Sequence, residues 1–294
     1  MEVFMKTLRE AFARVRNRPL ILIFPAIATL LLCIIEQFNP FVEKYGSLKT
    51  LITLDYMENL AKFAQDVKAS AATPGIMVTS IIVFILLISA CASIFAVFFS
   101  GYAQVLYLSV LGYKPKKGDF KSGINRHFIK MSLLFIFFVL FTIIFIVLMA
   151  YTVVPAIMSI KIFFAGDSRI FFQMMLLIIL TVMLLYFALV FYVMYWSFSV
   201  PGIIGFKRGG VLVALRMVNG YCWYLMPRAT LFIFAIGISE VIMLALNYGR
   251  GSAGYAIFAL FLNWIMKLAI IFPYINFVFS VFIEMKEDMF PSRQ

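Results

Sequence analysis

Residues 76–111 include no charged side chain. As one helix they would extend ~54 Å at 1.5 Å per residue, well past the ~30 Å hydrocarbon core of a bilayer. Apolar runs at 19–35, 131–160, 170–200, 225–247 and 255–284 bring the set to six. Such runs leave little chain for a soluble domain. Composition agrees: 64% of residues are hydrophobic, 13% are charged and the mean hydropathy is +1.04, whereas soluble domains hold about 45–50% apolar and about 25% charged residues. The fold class predicted is all-α, a polytopic helical membrane protein forming a single membrane domain over 1–294. Amphipathic helices are expected at 1–18 and within 36–75.

The net charge of +12 comes from 25 Lys and Arg against 13 Asp and Glu. In a soluble chain this would suggest nucleic acid, but here the cations gather in short connections beside the spans, as the positive-inside rule describes. The stretch 112–130 holds Lys114, Lys116, Lys117, Lys121, Arg126 and Lys130 against Asp119 alone. Residues 201–228 hold Lys207, Arg208, Arg216 and Arg228 with no acid, whereas the charges in 36–75 nearly balance. Both termini are therefore expected in the cytoplasm. Membrane lipids with anionic headgroups are the expected partners, with Lys114, Lys116, Lys117, Arg216 and Arg228 as headgroup or loop-pairing candidates. A protein partner or a homo-oligomer stays open, and nucleic acid is not expected.

In chain order, Phe4, Leu8, Phe12 and Val15 share one face of a basic helix that would lie on the membrane surface and orient the first span. Glu36-Gln37-Phe38 offers no small-residue cleavage site, so 19–35 is expected to be a permanent helix. Within 36–75, Leu51, Leu54, Met57, Leu60, Ala61 and Ala64 recur at helical spacing, which reads as a surface helix or a lid. The 76–111 span either continues into the cytoplasm or bends at Ser100-Gly101. Gly118-Asp119 and Ser122-Gly123 suggest turns, and Pro155 suggests a break. Tyr186, Tyr192, Tyr195 and Trp196 read as an interfacial belt or as helix packing, with a ligand cage as the sharper alternative. The stretch from 201 to 223 reads as a hinge followed by a short interfacial helix.

Chemistry is sparse. Cys33, Cys91 and Cys222 are scattered and lack metal-ligand spacing, and His127 is the single histidine. No phosphate-binding loop is present, and no cofactor, metal or catalytic residue is expected. Ionisable residues at membrane depth are functional candidates by default. Glu240 and Lys267 would lie ~10 Å and ~18 Å from the outer boundary of their spans. With Asn263, one turn before Lys267, they are the ligand or ion candidates. The alternative is a charge-balanced pair that fixes helix register.

The sequence FSVPGIIGFKRGGVLVALRMVNGYCWYLMPRATL resembles a pattern in a broad group of bacterial six-span integral membrane proteins. That group includes the membrane domain fused to some glycerophosphodiester phosphodiesterases. Ala214, Leu215, Arg216, Gly220 and Trp223 carry the resemblance, and Gly112, Lys114, Pro115, Asp119 and Phe120 match the group's basic loop. It implies a six-span protein of the bacterial inner membrane and no activity, because the phosphodiesterase chemistry belongs to a separate soluble domain. Two function classes follow. The first is a non-enzymatic membrane protein that accommodates lipid or a small amphipathic solute, or partners another protein. The second is a transporter or permease subunit. A membrane-embedded hydrolase or transferase is a third reading, for which convergent His, Asp and Glu residues are lacking.

Overall fold

The computed structural model describes residues 2–37, 74–164, 168–206, 209–248 and 253–290, and these are almost entirely helical, with no strand among them. The helices are α1 (Glu2–Asn17), α2 (Leu20–Gln37), α3 (Pro74–Val110), α4 (Asp119–Phe164), α5 (Phe171–Gly205), α6 (Gly210–Gly220), α7 (Cys222–Tyr248) and α8 (Ala253–Met289). Six of them, α2, α3, α4, α5, α7 and α8, are long and apolar enough to cross a membrane. Their connections alternate between two ends. One, the basic end, gathers α1, the 111–118 loop, the α5–α6 turn and the end of α8. The opposite end is called the far end below.

Helix α8 is the hub, packing against α1, α2, α3, α5, α6 and α7. It has the longest buried face near the basic end, where Phe277, Val278, Phe279, Val281, Phe282 and Ile283 are all buried. Most lateral surface of the other spans is apolar and exposed, as with Leu86 and Leu87 on α3 and Leu176 on α5. Such surface is stable against hydrocarbon, so close packing is needed only between helices. Aromatic stacking supplies part of it. Phe24 of α2 stacks on Tyr102 of α3 with centroids 4.6 Å apart, and Phe232 of α7 stacks on Tyr274 of α8 at 3.8 Å.

Several boundaries differ from the sequence expectation. Helix α3 is continuous through Ser100-Gly101, and Gly101 is there for proximity, since a Cβ at this position would meet the Phe120 ring at 2.7 Å. Helix α4 starts at Asp119, so Ser122-Gly123 is helical and not a turn. A Cβ on Gly123 would come within 2.8 Å of the Ser100 carbonyl, which shows how closely α3 and α4 cross. Pro155 does not break α4. Hydroxyls of Thr152, Ser159 and Thr181 bond the carbonyls of Met149, Pro155 and Thr152 in that region, and this supports a proline inside a membrane helix. Pro201 likewise lies inside α5, and the chain turns only after Gly205. The expected surface helix within 36–75 falls mostly outside the described residues, as do Lys207, Arg208 and the outer turn at Arg250-Gly251.

Candidate functional site

Two polar centres and one groove stand out. The first centre closes the basic end. Arg18 follows α1 directly, and although it belongs to the basic arm, its side chain is only 5% exposed. Its guanidinium donates to the Val105 carbonyl at 3.1 Å and to the Tyr113 carbonyl at 2.8 Å, and lies 3.6 Å from the Asp119 carboxylate. These acceptors belong to the last two turns of α3, the loop and the first residue of α4. A planar, forked donor suits such separated oxygens. Asp119 also accepts from the backbone N–H of Lys116 at 3.1 Å, which shapes the turn that starts α4. Nearby, Lys286 donates to the Gly205 carbonyl and to the Tyr107 hydroxyl, both at 3.1 Å, so that a cation caps the C-terminus of α5.

The second centre lies towards the far end between α2, α7 and α8. Lys267, 2% exposed, donates to Glu36 and to Glu240, the latter at 2.8 Å. Asn263, one turn earlier on α8, donates its amide N–H to Glu36 at 3.3 Å. The juxtaposition of Glu240, Asn263 and Lys267 expected from the sequence is therefore present. Its chemistry differs, because Glu36 belongs to α2 and not to the polar segment after it. Among the described residues the pairing is two carboxylates to one ammonium, where the sequence reading expected one carboxylate. Glu36 escaped notice because it stands beside a polar stretch. The available signal was an acid directly abutting an apolar run. Trp264 fastens the same pair of helices by donating to the Ala26 carbonyl at 2.8 Å.

Among the buried side-chain atoms without a hydrogen-bond partner are Asn263 Oδ1 and Ser239 Oγ, the latter next to Glu240 in sequence. The amide orientation of Asn263 is fixed by Glu36, since turning it over would set two acceptors against each other.

The groove lies at the basic end. It has a volume of about 570 Å³ and is lined by Lys130, Leu133, Leu134 and Phe137 of α4, Ile203 and Phe206 at the end of α5, and Gly209–Leu212 at the start of α6. Its floor includes the buried Leu134 and Ile203, whereas Leu133, Phe137 and Leu212 stand exposed at the rim. The turn that shapes it depends on glycine. Gly209 has φ 64°, a left-handed conformation that costs glycine little. Gly210 presses onto α5 so closely that a Cβ would meet the Gly202 carbonyl oxygen at 2.2 Å. The hinge and short helix expected over 201–223 thus take the form of a glycine elbow and α6.

None of the headgroup candidates lines this groove. Lys114, Lys116 and Lys117 are exposed on the loop and Arg216 is exposed on α6. Arg228 bonds back to the Tyr224 carbonyl and lies 3.6 Å over the Tyr224 ring, a local cation–π contact. Lys130 does line the groove, and Lys121 and Arg126 line a second depression of about 550 Å³. Of the α5 aromatic residues, Tyr192, Tyr195 and Trp196 pack against neighbouring helices. Tyr192 bonds the Thr142 hydroxyl and stacks on Phe145 at 4.8 Å, Trp196 meets Phe138 edge-on at 4.5 Å, and Tyr195 donates to Asn219 of α6 at 2.5 Å.

No family model matches this chain, and no curated protein or solved structure is significantly similar to it.

Proposed function

We propose that this protein is a non-enzymatic integral membrane protein of the bacterial inner membrane, its basic end cytoplasmic, that accommodates an anionic phospholipid of the adjoining leaflet. One observation carries the reading, the groove between α4, α5 and α6, with its apolar floor and Lys130 at its margin. The apolar walls suit acyl chain. The cation supplies charge complementarity for a headgroup, and basic clusters beside spans attract anionic lipid generally. Lys121 and Arg126 extend the same field along α4. The resemblance to the six-span group supports the membrane setting and adds no activity.

The test uses the full-length protein extracted from membranes and examined by native mass spectrometry. Retained phospholipid in the parent protein and its loss in Leu133→Trp, which fills the groove from its exposed rim, would support the reading. Equal retention in both, or none in the parent, would overturn it. A second reading, a transporter or permease subunit, is favoured by the charged residues at membrane depth on α2, α7 and α8.

A further inference from the structure

Helix α4 carries both depressions of the basic end on one exposed face. Gly118 aside, the polar depression is lined by Lys121, Ser122, Asn125 and Arg126, and α4 lines the groove with Lys130, Leu133, Leu134 and Phe137. Ser122, Arg126 and Lys130 follow one another at a spacing of one helical turn, and Leu133 and Phe137 continue the row, so these side chains stand one above the next. Ile129, 71% exposed, fills the face between the two depressions. The row runs from hydroxyl and guanidinium through ammonium to hydrocarbon without leaving one side of the helix.

Length decides what the polar half can hold. The apolar run of α4 begins at Met131, which sets Lys130 at the hydrocarbon boundary. Arg126 lies ~6 Å beyond Lys130 along the helix and Lys121 ~14 Å, at 1.5 Å per residue. The headgroup layer of one leaflet is only ~5–8 Å deep, and a helix tilt of ~20° shortens the projection by about 1 Å. A compact headgroup anchored in the groove meets Lys130 with its phosphate and extends no further than Arg126. Lys121 stands beyond the layer. The chemistry there suits an anion on a hydroxyl-bearing carrier. Lys121 and Arg126 supply two cations, and Ser122 and Asn125 supply neutral donors and acceptors. Asp119, next in the chain to Gly118, is held by Arg18 and by the Lys116 N–H.

We propose that this face of α4 is a two-part site for a lipid with an extended headgroup: acyl chain in the groove, anchoring phosphate at Lys130, and a second anionic group, on a hydroxyl-bearing spacer, at Arg126 and Lys121. The assignment rests on the lipid reading of the groove and narrows it to one lipid class. A second charge roughly 10 Å past the first separates that class from compact glycerophospholipids.

Competition binding to the full-length protein, read by native mass spectrometry, tests it with three diacyl lipids of matched chains. Phosphatidylglycerol is compact and singly charged, phosphatidylinositol is extended and hydroxylated, and phosphatidylinositol 4-phosphate adds the second phosphate. With each nearby cation strengthening attraction roughly fivefold, phosphatidylinositol 4-phosphate is expected to be retained roughly 10- to 30-fold over phosphatidylglycerol, with phosphatidylinositol between them. The double variant Lys121→Ala, Arg126→Ala alters two exposed side chains and should bring that ratio close to one. Equal retention of phosphatidylglycerol and phosphatidylinositol 4-phosphate by the parent, or the parent's ratio kept in the double variant, would overturn the extended-headgroup site and leave the lipid groove standing. Retention of no lipid by the parent would remove both readings. Binding of soluble inositol 1,4-bisphosphate as tight as that of the lipid would mark a site for free phosphate and overturn the lipid anchor.

Discussion

Arg18 and Lys267 are both cations buried almost completely, yet they are neutralised in different ways. Arg18 is met by two backbone carbonyls and one carboxylate, so one positive charge faces one negative charge and the remaining donors find neutral acceptors. Lys267 is met by two carboxylates. The first arrangement is complete in itself and ties three consecutive pieces of chain together at the basic end. The second sets two carboxylates, each more than a third exposed, against one buried cation and ties three helices that are distant in the chain. A balanced buried ion pair has a sufficient structural explanation.

The sharpest way to break this contrast is Lys267→Met, which leaves two facing carboxylates without their cation. Removing one partner from a buried pair costs ~3–5 kcal/mol, and we expect a loss of that size in denaturant unfolding of the nanodisc-embedded protein. Arg18→Ala comes next. It abandons two carbonyls and Asp119, and with charged hydrogen bonds contributing ~1.5–3 kcal/mol, a loss of about 2–3 kcal/mol is expected in the same assay. Arg18→Lys should recover less than half of it, because an ammonium cannot reproduce the guanidinium fork; full recovery would remove the geometric part of the argument. Gly210→Ala, which forces a methyl onto the Gly202 carbonyl, should cost ~1–3 kcal/mol by overpacking, read as a lowered thermal midpoint. The smallest effect is expected from Glu240→Gln. It removes one of two part-exposed partners of Lys267 and leaves Glu36 in place, so stability should change by less than ~1 kcal/mol, the range of an exposed ion pair. A loss comparable to that of Lys267→Met would show that Lys267 depends on Glu240 and not on Glu36.

The six apolar runs were plain in the sequence because spanning a bilayer requires little more than uninterrupted hydrophobicity over sufficient length. The site was legible in part. Glu240, Asn263 and Lys267 stood out as polar residues in apolar surroundings, and their spacing along adjacent antiparallel helices brought them to similar depth. Glu36 did not stand out, because its role depends on α2 packing beside α8, a contact between segments far apart in the chain that no local periodicity encodes. Arg18 was hidden for the opposite reason: a basic residue beside a membrane face is expected to be solvated. Glycine and proline misled where tertiary packing overrode local preference. Ser122-Gly123 reads as a turn in isolation, but its glycine lets α4 approach α3. Pro155 reads as a break and the stretch from Pro201 as a hinge, but both prolines lie within continuous helices.

The close seating of Gly210 on Gly202 bears on how the groove could admit a guest. Two of its three walls, the end of α5 and the start of α6, meet backbone to backbone and have no slack for one to swing relative to the other. They act as a single fixed jaw. Passage in or out would then fall to the α4 side, where Leu133 and Phe137 line the opening with flexible side chains. An elbow that looks like a hinge along the chain is, in three dimensions, the stationary half of the mouth.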